Sequence, residues 1–411
     1  MTGNGAAAWG ARLAKVDYIP AFPITPQTEI IESLGNWIDN GKMPARMVTL
    51  ESEHSMITAA GAAAATGVRV FSATSSQGLL YAMEMLYTVA GWRAPFVLVN
   101  VSRGLSAPIT LEADHNDVMA ARDSGFLQLH CATCQEVLDS ILIAYRLAED
   151  ERVRLPVIVN QDGFYLSFTR EPVEAPAVKE VDAFLPAFDA ENMRFRASRP
   201  VSQAVAVLGG SPYSYFRYQT HLAARQALHV YDEIAEDFQH RFGRNRDAIE
   251  TYRTQDAEYL FVMLGAFSTK AREAVDRLRD AGWSIGLLRP RLFRPTPTDK
   301  IRMAMLGKKG AAVIDQNLSI GSGGVLHTEL SSTLFGSLEQ PAPLLVSFIG
   351  GLGGRDISIE EFFRMAEITR EAVAEGHPPP PRLLYTETEL REIRKLQAIA
   401  DAERIDLEVK R

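Results

Sequence analysis

The chain is poor in cysteine, having two thiols in 411 residues, Cys131 and Cys134. That excludes a disulfide-stapled scaffold and falls short of the four thiolates that hold an iron–sulfur cluster. Redox centres, if the chain serves redox chemistry, sit on other chains. It lacks an apolar run near the ~20 residues of a membrane span, and its N-terminus has no basic, apolar and small-residue signal pattern, so a cytoplasmic location is expected. It also lacks an excess of basic residues: 43 Lys and Arg against 51 Asp and Glu give a net charge of −8. Phosphate-backbone binding relies on concentrated positive charge, so no nucleic-acid partner is expected. Neither a phosphate-binding glycine loop nor a nucleophile elbow is present.

What is present is ample material for two or three cores. Over the first 165 or so residues, apolar runs such as "VRVFSAT", "APFVLVNVS" and "LPVIVNQDG" alternate with helical patterns such as "PQTEIIESLGNWID" and "CQEVLDSILIAYRLAEDE". Strands apolar throughout, each followed by a helix, predict a doubly wound parallel α/β domain. Residues 1–195 form this unit, and 196–257 are a connecting segment with aromatic and charged residues at helical spacing. Residues 258–375 repeat the strand–helix alternation, and 376–411 form an arm of a proline run and a charged helix.

Ligands of such sheets collect beyond the carboxyl ends of the strands. Four edges stand out. In "FPITPQT" Thr25 is placed to cap a helix that Pro26 begins, a natural carboxylate site or a plain N-cap. In "ESEH" Glu51 and Glu53 open a helix, either as solvated complements to its dipole or with one buried for proton handling. Thr74, Ser75, Ser76 and Gln77 give a small polar run before Gly78 that can approach a flat ligand. Arg103 follows "FVLVNV" as a fork for a carboxylate, or as a solvated arginine. The "DHND" cluster at 114–117 reads as loop bracing, "CATC" as structural cysteines, and "QDGF" at 161–164 as a turn. No metal site is assigned.

In this order "FPITPQT", "ESEHSMITAAGAAAATG", "FSATSSQGLLYAMEMLY", "VSRGLSAPITLEADHND" and "LPVIVNQDGFYLSFTREPV", continued by "LGAFSTKAREAVDRLRDAGW" and "DQNLSIGSGG", resemble the α chains of the 2-oxoacid:acceptor oxidoreductases. Pyruvate:ferredoxin oxidoreductase is the best known of these. The resemblance implies a pyrimidine-binding domain for thiamine diphosphate and a second, transketolase C-terminal-like domain. A separate β chain would hold the diphosphate and Mg²⁺.

By the same resemblance Glu53 would hydrogen-bond N1′ of the aminopyrimidine and act in catalysis. Thr25 and Arg103 would hold the oxoacid carboxylate. Pro26, Thr74, Ser75, Ser76 and Gln77 would line the cofactor. [4Fe–4S] clusters would lie on γ or ferredoxin-like δ chains, coenzyme A would take the acyl group, and ferredoxin would accept electrons, or NAD through an FAD-bearing subunit. The stretches "YIPAFPITPQTEIIE" and "SEHSMITAAG" look most like phenylglyoxylate dehydrogenase; Phe22 and His54-Ser55-Met56 depart from the pyruvate pattern and would reshape the pocket for a larger, aryl side chain, with pyruvate or another 2-oxoacid as the alternative. Two other classes remain: a non-catalytic assembly subunit, which has no need of Thr25, Glu53 and Arg103 together, and a hydrolase using Ser75 or Ser76 with His115 and Asp117.

Overall fold

The six apolar runs of the first part become strands: β1 (Tyr18–Ala21), β2 (Arg46–Thr49), β3 (Phe71–Thr74), β4 (Val97–Ser102), β5 (Leu127–His130) and β6 (Val157–Asp162). The structure is a computed structural model and describes residues 1–188, 197, 198, 200, 202, 205–336 and 341–409. Residues of β3, β4, β5 and β6 are all buried, as a sheet covered on both faces requires. These four pair in parallel in the order β5-β6-β4-β3. β1 and β2 form a parallel pair, joined to β3 by a Tyr18–Val70 bridge and by Ser72 Oγ donating to the Pro20 carbonyl at 2.8 Å. All six carboxyl ends therefore open on one edge.

Helix packing explains the alanine-rich sequence. The helix Glu53–Ala65 is capped by Ser52, whose Oγ accepts from Ser55 N at 3.2 Å. A Cβ on its Gly61 would lie 3.0 Å from Val89 Cγ1, so the close approach needs glycine there. Cys134–Glu149 starts behind the Thr133 cap and buries Val137, Leu138, Ile141 and Leu142 in the main core, each worth about 1.5–3 kcal/mol of removed apolar surface. A helix over Gly3–Leu13, for which the sequence reading had no element, packs Gly10 against Ile141.

Thr25 does not cap the next helix. That helix runs Thr28–Asp39 from Gln27, because residues before it are taken by other partners. Asn4 Nδ2 donates to the Pro26 carbonyl at 2.8 Å, and Gln27 Nε2 to the Phe22 carbonyl at 2.9 Å. Thr25 is left exposed at the edge.

The second part contributes β7 (Ile249–Tyr252), β8 (Tyr259–Met263), β9 (Ile285–Pro290), β10 (Leu292–Arg294), β11 (Gly310–Asp315), β12 (Leu344–Ile349) and β13 (Arg382–Leu383). Its sheet has the order β13-β12-β11-β8-β9-β7, with β7 antiparallel to β9. The run "WSIGLLRPRLFRPTP" splits in two, and β10 crosses back to pair antiparallel with β5 of the first sheet. Within the segment 196–257 the described residues form the long helix Gly210–Phe242, whose Ala227, Val230, Tyr231, Ile234 and Phe238 enter the first domain's core, and strand β7. Its first turns stay exposed with Tyr213, Tyr215, Phe216 and Tyr218. Among the described residues no helix is long and apolar enough to cross a membrane.

Candidate active site

Glu53 is 5% exposed at the first position of its helix. Among the described residues its carboxylate has neither a hydrogen bond nor an ion pair. Thr74, the last residue of β3, and Ser75 after it have buried hydroxyls without hydrogen-bond partners among the described residues. Gly78 lies between these groups: a Cβ there would fall 2.9 Å from Glu53 Cδ and 2.7 Å from Thr74 Oγ1. A buried carboxylate beside orphaned hydroxyls, with glycine keeping the space between them, suits the polar edge of a flat heterocycle. These residues therefore fit an aminopyrimidine.

Arg103, 7% exposed, follows β4. Its Nη1 donates to the Thr25 carbonyl and its Nη2 to Gln77 Oε1, both at 2.7 Å. Nε is buried without a partner among the described residues. Burial lowers the guanidinium pKa and the Asp117 carboxylate opposes that shift; an arginine so placed stays charged. The edge thus brings Thr25, Gln77 and Arg103 into direct contact, with Glu53 and Thr74 grouped about Gly78. Pro26 is buried, and a Cβ on Gly163 would lie 2.5 Å from the Ser102 carbonyl oxygen and 3.1 Å from Pro26 Cγ, so the "QDGF" turn needs glycine to pass them.

The predicted bracing by "DHND" is present. Asp114 Oδ1 accepts from Asn116 N and Nδ2 at 2.6 Å, and Asp117 is buried among donors from the turn after β3 and from the end of β4. Asp162 exceeds the role of a turn residue. Its Oδ1 meets His115 Nε2 at 2.6 Å and its Oδ2 accepts from Ala266 N at 2.8 Å, joining the two domains. Although burial works against it, the Asp162 charge holds the His115 pKa above its usual value.

The hydrolase arrangement is not assembled: Ser76 Oγ donates to the Gly104 carbonyl at 2.8 Å, and His115 is engaged with Asp162. Sequence reasoning passed over Asn100, which ties Asp117 to Asn160 from inside β4. A lone amide in "FVLVNV" was its signal.

A parallel sheet that gathers these groups at its carboxyl edge puts the first half of the chain in the class of thiamine diphosphate-binding α/β domains. Residues 9–239 match the family described as "Pyruvate flavodoxin/ferredoxin oxidoreductase, thiamine diP-bdg". Residues 257–362 match "Pyruvate:ferredoxin oxidoreductase core domain II". Pyruvate synthase subunit PorA of Pyrococcus furiosus is 40% identical over 381 residues, covering 93% of this chain and 96% of that one. Ketoisovalerate oxidoreductase subunit VorA of Pyrococcus horikoshii is 37% identical over 377 residues, covering 92% and 94%. The chain belongs to the pyruvate flavodoxin/ferredoxin oxidoreductase family, among its α subunits.

In fold it is similar to a solved 2-oxoglutarate:ferredoxin oxidoreductase from Magnetococcus marinus, with a TM-score of 0.68 at 19% identity over 91% of this chain and 65% of that one. A split-gene transketolase also matches in fold, with a TM-score of 0.53 at 12% identity over 91% of this chain and 98% of that one.

Proposed function

We propose that this chain forms the pyrimidine-facing half of a thiamine diphosphate site in a complex that converts a 2-oxoacid and coenzyme A to an acyl-CoA and CO₂. Two electrons leave through iron–sulfur partner chains to ferredoxin. A partner β chain completes the site with the diphosphate and Mg²⁺. The observation that carries this reading is the buried Glu53 carboxylate, without a partner among the described residues and set across Gly78 from the unpartnered Thr74 hydroxyl. When bound, the cofactor supplies the nucleophilic carbon and the electron sink that decarboxylation needs.

The protein's own groups do the rest. Glu53 holds the proton shared with N1′ of the pyrimidine, in a site dry enough to make that bond strong. Arg103, oriented by Thr25 and Gln77, offers its positive charge to the substrate carboxylate. The Thr25 hydroxyl, exposed at the same edge, is the second group for that carboxylate.

The aryl expectation rested on Phe22 and His54-Ser55-Met56. Met56 is fully buried in the apolar cluster that includes Leu79, Leu86 and Val89. Ser55 Oγ donates to Glu51 at 2.6 Å, and His54 Nε2 lies 3.5 Å from Glu84. With these side chains engaged elsewhere, and with relatives named for pyruvate and ketoisovalerate, an aliphatic 2-oxoacid, pyruvate first, is the better-supported substrate. Coenzyme A-dependent reduction of ferredoxin by the natively purified complex, with pyruvate, ketoisovalerate and phenylglyoxylate in turn, tests both parts. We expect pyruvate to be preferred and Glu53→Gln to lower turnover by roughly 10²–10⁴-fold. Full activity of Glu53→Gln would falsify the catalytic reading, and preference for phenylglyoxylate would overturn the substrate.

A further inference from the structure

Asp117 is fully buried next to the start of the short helix Asn116–Ala120, and five donors converge on its carboxylate. Oδ2 accepts from Ser76 N at 3.0 Å, Asn100 Nδ2 at 3.1 Å and Arg103 N at 3.2 Å. Oδ1 accepts from Ser102 Oγ and from Val118 N, each at 2.6 Å. Ser76 N and Arg103 N belong to different loops. One follows β3 and carries the cofactor-facing hydroxyls; the other follows β4 and carries the arginine fork. Ser76 has φ +50°, a left-handed conformation that a serine keeps only where its surroundings enforce it.

The segment bearing Asp117 is itself held by the second domain. The Gln316 carbonyl accepts from His115 N at 2.8 Å, and Asn116 Oδ1 accepts from Leu318 N at 3.1 Å. We propose that Asp117 is a positioning residue that fixes the Ser75–Gln77 turn relative to Arg103, with the end of β11 in the second domain holding Asp117 in place. This rests on the site assignment above and deepens it: the second domain sets the geometry of the substrate clamp.

An isosteric Asp117→Asn substitution offers one acceptor oxygen in place of two, and its NH₂ must face donors. Either orientation releases one set of anchors. In the purified complex we expect this variant to raise the KM for pyruvate by about tenfold, the worth of a hydrogen bond to a charged group, while kcat falls less. Asn116→Ala, which touches neither cofactor nor substrate and removes only the tie to Leu318 and an internal loop bond, is expected to raise that KM by about threefold, a lost neutral hydrogen bond. It carries the test if Asp117→Asn fails to assemble.

A purely structural role would lower Tm and leave KM in place, so unchanged KM in both variants overturns the proposal. Glu53→Gln run in parallel separates the two levels. If it loses turnover while both KM values stay unchanged, only the positioning role falls; if it keeps full turnover, the site assignment falls first.

Discussion

Arg103 reaches Thr25 through the main chain: its Nη1 donates to the Thr25 carbonyl at 2.7 Å, so the threonine hydroxyl plays no part in fixing the arginine. With Gln77 Oε1 on Nη2, the guanidinium is held at two points of a planar fork, which a lysine ammonium cannot reproduce. Arg103→Lys should raise the KM for the 2-oxoacid by roughly tenfold or more, the loss of a charge-assisted hydrogen bond, with kcat less affected. Steady-state kinetics on the purified complex decides this, and an unchanged KM would remove Arg103 from the substrate clamp.

Gly78 has an ordinary backbone conformation, so its role is spatial. Gly78→Ala places a methyl group against Glu53 and Thr74 and must displace one of them. A displacement near 1 Å at a catalytic group costs about 10²-fold. We expect that loss in turnover with Tm lowered only modestly. Wild-type turnover in this variant would show that Glu53 and Thr74 have room to spare.

Glu136 joins the domains, with Arg289 Nη2 at 2.5 Å and Arg291 Nη2 at 3.0 Å from its Oε1. Burial alone would raise its carboxyl pKa, but the charges of Arg289, Arg291 and Arg246 outweigh burial and hold it well below the usual range. A carboxyl with a depressed folded-state pKa contributes stability that is present above its unfolded pKa, about 4.3, and is lost as pH falls below that value. Glu136→Gln leaves the two buried guanidinium groups of Arg289 and Arg291 to share the Glu250 carboxylate alone. It should cost about 1.5–3 kcal/mol at neutral pH, the worth of a hydrogen bond to a charged group, and flatten the fall of stability below pH ~4.3. Urea unfolding of both proteins from neutral to acid pH measures this; parallel curves would mean that Glu136 contributes no charge-dependent stability.

Cys131 and Cys134 are both buried and free. Burial, with Glu136 near one and Glu171 near the other, pushes each thiol up to about 12, so neither is a nucleophile at neutral pH. Iodoacetamide at pH 8 should label neither thiol in the folded chain and both in urea. Mass spectrometry showing rapid labelling of the native chain would contradict their burial.

The alternation of strands and helices was legible from "VDYIPAF" to "KGAAVIDQN" because it is written in neighbouring residues. A run apolar at every position needs cover on both faces, and a period near 3.6 needs it on one. The same alternation marked the strand ends, so Thr25, Glu53, Thr74, Ser75, Gln77 and Arg103 could be singled out before any packing was known. Where local signals competed with distant partners, the reading failed: Asn4 and Phe22 engage Pro26 and Gln27, and the helix starts later than Thr25 suggested. Tertiary structure alone decided that β10 returns to the first sheet and that Gly210–Phe242 packs on its core. It alone placed Asp117 and Asp162 at loop and domain junctions. A buried carboxylate accepts whichever donors the fold brings to it, and for Asp162 one of those donors is 104 residues away, beyond the reach of any local pattern.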